Sequence, residues 1–64
     1  MKWISIPKGT KSGAAHRWLS TEHPELKWQS YRQIDEKTFH FSHVCFGFED
    51  ADERILVEFT LRFA

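Results

Sequence analysis

This 64-residue chain has one cysteine, two prolines and three glycines, and its formal net charge is zero. Each scarcity excludes something. A lone Cys45 forbids an intrachain disulfide, and its solitude fits a reducing compartment. A balance of zero denies the chain the dominant basic field of most nucleic-acid binders. No run approaches the roughly 20 apolar residues of a membrane span. The start, "MKWISIPKG", has an apolar-rich stretch too short for the core of a signal peptide. The expectation is one domain over residues 1–64, cytoplasmic, with no membrane partner.

What is present in excess is aromatic: six Phe, three Trp and one Tyr. A chain this short buries only about 60% of the surface that its unfolded form exposes. Large rings, at about 150–250 Å² each, supply a small core and leave some over for contact. Charge is sorted along the chain. Residues 1–32 carry six Lys or Arg against two Glu, and residues 33–64 carry three against seven Asp or Glu, a balance of +4 against −4. Such a split steers encounters.

"KWISI" predicts a strand ended by Pro7, and "PKGTKSG" a loop. Ser12 is the candidate N-cap of a helix over 13–21, with Ala14, Ala15, Trp18 and Leu19 on one face. Pro24 breaks the chain, with Leu26 tucked inward. "WQSYRQI" (28–34) predicts a second strand, and 38–49 and 53–63 two more around an acidic turn. The expected class is α+β, a β-α-β-β-β domain with a mainly antiparallel sheet and one helix packed on one face. The turn around "DEK" admits two- or three-residue loops, which bring Arg32 or Tyr31 respectively beside Phe41.

The last segment alternates, with Ile55, Val57, Phe59, Leu61 and Phe63 on one side of a strand. Paired back through a three-residue loop at 50–52, it sets Phe41 against Leu61 and Cys45 against Val57, so odd positions line the interior. Val44, Phe46, Phe48 and Leu56 then form an outward apolar cluster rimmed by Glu49, Asp50, Asp52 and Glu53. Contiguous exposed apolar patches mark contacts. The expected function is therefore a small non-enzymatic protein-binding module, a regulator, inhibitor or adaptor of phage or mobile-element type, with a homodimer as one form of partner.

The alternative is a single-stranded nucleic-acid or RNA binder. Lys8, Lys11, His16, Arg17, Lys27, Tyr31 and Arg32 combine cations with stacking rings, the pairing that single strands require. Other chemistry is weaker. "GTKSG" has the ending of a phosphate-binding loop but lacks both glycines of that pattern. The four histidines show no tetrahedral ligand spacing, so no metal and no cofactor is expected. Cys45 beside His43 resembles a nucleophile with its base, but no orienting third residue is visible.

Overall fold

A computed structural model describes all 64 residues. Five elements follow one another: β1 (Lys2–Pro7), α1 (Thr10–Glu22), β2 (Trp28–Ile34), β3 (Phe41–Phe48) and α2 (Glu53–Phe63). The fold is α+β, with a three-stranded antiparallel sheet ordered β1-β3-β2. Both outer strands run antiparallel to β3, so β1 and β2 are parallel to each other with β3 inserted between them, a split β-α-β arrangement.

One expected element is overturned. Residues 53–63 form a helix, not the fourth strand, so the chain has two helices and the acidic turn is no hairpin. The apolar positions satisfy a helical period as well as an alternating one. Phe59 and Phe63 are buried one turn apart, and Ile55 and Leu56 are half-buried on the preceding turn. Local chemistry decides between the periods. Asp52 caps the helix, its carboxylate accepting a hydrogen bond from the Arg54 N–H at 2.9 Å. Glu53 in the first turn and Arg62 in the last complement the helix dipole. Ala51 before the cap and Leu56 in the second turn both pack on the core, as a hydrophobic staple does.

The first helix starts earlier than Ser12. Pro7 closes β1, Gly9 turns the chain at φ 142°, and α1 begins at Thr10. The Ser12 hydroxyl donates back to the Gly9 carbonyl at 2.8 Å instead of capping the helix. Leu26 packs inward after Pro24 as expected.

The connection around "DEK" spans residues 35–40, longer than either expected loop. The Asp35 carboxylate accepts from the Lys37 N–H at 2.8 Å, and Phe39 takes a left-handed φ of 60°. Register shifts where Gln33 pairs with His43 but Ile34 pairs with Phe41, leaving Ser42 as a bulge.

The core is Ile6, Ala15, Leu19, Phe46, Phe48, Phe59 and Phe63. Phe59 is its hub, with ring centroids of Phe46, Phe48 and Phe63 at 5.2–5.3 Å. Trp18 of α1 closes one side, 5.7 Å from Phe63. Even-numbered residues of β1 and β3 therefore look at the helices, the reverse of the parity expected from a paired last strand.

Candidate functional site

The expected contact cluster is not a surface. Phe46 and Phe48 are buried beneath α2, while Val44 and Leu56 are half-buried against the same core. These side chains cover the helix-facing side of the sheet, so the proposed outward cluster is corrected to core. Its acidic rim has separate tasks. Asp52 and Glu53 start α2, and Asp50 occupies a left-handed turn position with φ 49°. Glu49 sits at the end of β3 and lines a groove with Met1 and Gln29.

Both helices pack on one face, which leaves the other face of the sheet uncovered. Alternation assigns to it Trp3 and Ser5 of β1, His43, Cys45 and Gly47 of β3, and Gln29, Tyr31 and Gln33 of β2. The register stacks them in rows: Trp3, Gly47 and Gln29 in one, Ser5, Cys45 and Tyr31 in the next. Because Gly47 has no side chain, the Trp3 indole lies across it. A Cβ at that position would come within 2.6 Å of the ring and 2.8 Å of the Met1 sulfur. The indole meets Tyr31 edge-on, with centroids 5.2 Å apart. Trp3 and Tyr31 remain 44% and 53% exposed, and Met1 is exposed beside them.

Beneath this layer the Cys45 thiol is buried, 3.9 Å from the Ser5 hydroxyl and from the Gln33 carbonyl oxygen. Its partners are neutral, and His43 bonds the neighbouring Ser42 hydroxyl at 2.9 Å instead of the thiol. The pair expected as nucleophile and base is thus not joined. The hydrogen bond with Cys45 pushes the Tyr31 phenol above its ordinary pKa, with the thiol's charge and slight desolvation adding to the shift. Tyr31 is accordingly a neutral hydroxyl near pH 7. No Asp, Glu, Lys or Arg stands among the strand residues of this face.

The residues of the nucleic-acid alternative do not converge. Tyr31 is on the open face, whereas Lys8 and Arg32 hold the Phe41 ring between them, at 5.2 and 4.9 Å from its centroid. Lys11 lies in the first turn of α1, with His16 and Arg17 further along it, and Lys27 precedes β2. His16 packs edge-on against Trp28, and His23 against Trp18. Trp3 entered no sequence-based site. Its pairing with Tyr31 depends on β1 and β2 flanking β3, which neither strand encodes alone.

No helix is long and apolar enough to cross a membrane. No protein-family model, curated protein or solved structure matches this chain.

Proposed function

We propose that the chain is a non-enzymatic protein-binding module that acts through the uncovered face of its sheet, centred on Trp3 and Tyr31. The observation that carries this reading is the composition of that face. Interface cores are enriched in Trp, Tyr and Met and depleted of charge, and the strongest contact residues are Trp and Tyr held in place by neighbours. Trp3, Tyr31 and Met1 meet that description on an antiparallel sheet. Ser5, Gln29 and Gln33 supply uncharged polar groups around them. Glu49 lies at the margin, in a groove with Met1 and Gln29. Such a module suits a regulator, inhibitor or adaptor working in the cytoplasm, where a free thiol stays reduced.

The second reading, single-stranded nucleic acid, draws on the Lys8–Phe41–Arg32 cluster. It asks for cations along the stacking surface, and the Trp3–Tyr31 face presents none.

The test uses three immobilised proteins: the wild type, Trp3→Ser, and Leu61→Ser on the far side of α2. A protein held by the wild type and by Leu61→Ser but lost from Trp3→Ser supports the proposal. A protein held equally by all three contradicts it. Binding to mixed single-stranded oligonucleotides that collapses as salt rises assigns the face to nucleic acid instead.

A further inference from the structure

We infer that β1 is a self-association edge, and that a second copy of this chain pairs with it to form one continuous six-stranded sheet. The geometry starts from a single bond. The Lys8 N–H donates to the Ser42 carbonyl of the β3 segment at 2.9 Å. Backbone groups alternate in direction along a strand, so Lys2, Ile4 and Ile6 also point their N–H and C=O groups at β3. Trp3 and Ser5 point theirs off the sheet, and Pro7 has no N–H to offer. The free edge thus carries two complete donor–acceptor residues, separated by Ile4.

That spacing is self-complementary. In an antiparallel pair with the two-fold axis through Ile4, Trp3 of each copy faces Ser5 of the other, and each such pair exchanges two hydrogen bonds. All four N–H and C=O groups on each edge are then satisfied. A register centred on Ser5 sets Trp3 against Pro7 and forfeits a donor. The axis also brings Ile4 against its own copy at the closest spacing an antiparallel sheet provides. An isologous contact of this kind uses the same patch on both subunits.

The neighbourhood of the edge agrees. Ile4, Leu56 and Val57 line a groove between β1 and α2, together with Lys2 and Glu53. Val57 is 52% exposed, although it belongs to a helix with a packed inner face. Stable interfaces cover about 800 Å² per partner, close to one-sixth of the chain's 4863 Å² surface. Reaching that area requires the α2 flank as well as the strand, and the groove places the two side by side. The other free edge, β2, is guarded differently. It carries Arg32, a charge of the kind that discourages edge pairing. Between Lys2 and Pro7, β1 has no charge, proline or bulge. Pairing there leaves the uncovered face free and sets two Trp3–Tyr31 platforms on one surface, so the inference stands apart from the proposed partner site.

The test is solution mass by light scattering over a concentration series, for the wild type and for Ser5→Pro. Proline at position 5 removes an outward N–H and leaves the β3 ladder intact, a position of an edge strand that tolerates it. The expected result is a wild-type mass rising toward twice 7.6 kDa, with Ser5→Pro monomeric and unchanged in circular dichroism. A wild type that stays monomeric throughout, or a Ser5→Pro variant that dimerises equally, overturns the inference. If Ser5→Pro does not fold, amide exchange of the wild type decides. Protection at Trp3 and Ser5 that grows with protein concentration upholds the pairing, and exchange there at the rate of open backbone refutes it.

Discussion

Trp3 lies across Gly47, and its ring meets Tyr31 edge-on with centroids 5.2 Å apart. Gly47 is what lets the indole lie against the sheet. Gly47→Ala puts a methyl group 2.6 Å from the far edge of that ring. The ring is half-exposed and can swing outward, so the chain is expected to stay folded, with stability changed by about 1 kcal/mol or less. The Trp3–Tyr31 contact is expected to disappear, visible as a shift in the Tyr31 ring resonances, and partner binding is expected to fall with it. Unchanged Tyr31 resonances would show that Trp3 does not rest there.

Phe46→Asp distinguishes a core residue from a contact residue. Truncating a buried Phe costs about 3–5 kcal/mol, and a buried unpaired carboxylate costs more. At about 0.05–0.15 kcal/mol per residue, 64 residues hold only about 3–10 kcal/mol in total. The variant is expected to lose its circular dichroism signal and its cooperative melt. A folded Phe46→Asp monomer would return Phe46 to the surface.

Asp52→Ala tests the start of α2. Loss of a carboxylate N-cap costs about 0.5–2 kcal/mol, read as a lower urea midpoint at unchanged slope. A midpoint equal to the wild type would deny the Asp52–Arg54 bond a part in stability.

How the sequence misleads is visible in that same segment. In residues 53–63, Ile55, Val57, Phe59, Leu61 and Phe63 alternate cleanly, yet only Phe59 and Phe63 are buried, and Leu61 is 81% exposed. Leu56 was the discordant residue, falling on the polar side of the supposed strand. It belongs with Ile55, Phe59 and Phe63 on one helical face, behind an Asp52 that is a ready N-cap. Parity in β3 follows from that supposed partner, which places Phe46 and Phe48 on the wrong face. Elements with local signals were legible: β1 ends at Pro7, α1 carries Ala15, Trp18 and Leu19 inward, and β2 keeps its bounds. The Trp3–Tyr31 surface was not legible, because it arises from strands 28 residues apart brought to either side of β3.

Tyr31 is the sole tyrosine, so alkaline spectrophotometric titration reads it without interference. Its folded pKa lies above the ordinary value of 10.0 because the nearby Cys45 thiol, by hydrogen bonding and then by charge, favours the protonated phenol. A raised acid binds its proton more tightly in the folded chain, so this contribution is complete below pH 10 and is lost as pH rises through the folded value. Cys45→Ala is expected to bring the titration back toward 10. A wild-type titration already at the ordinary value would deny Cys45 an influence on Tyr31.

The central claim is the division of the sheet into a face covered by two helices and a face left to Trp3 and Tyr31. Assigned nuclear Overhauser contacts test it most directly. The account predicts contacts from Tyr31 ring protons to Trp3, from Phe59 ring protons to Phe46 and Phe48, and helical contacts through residues 53–63. Cross-strand contacts between Phe41 and Leu61, with Tyr31 touching Phe59, would contradict it.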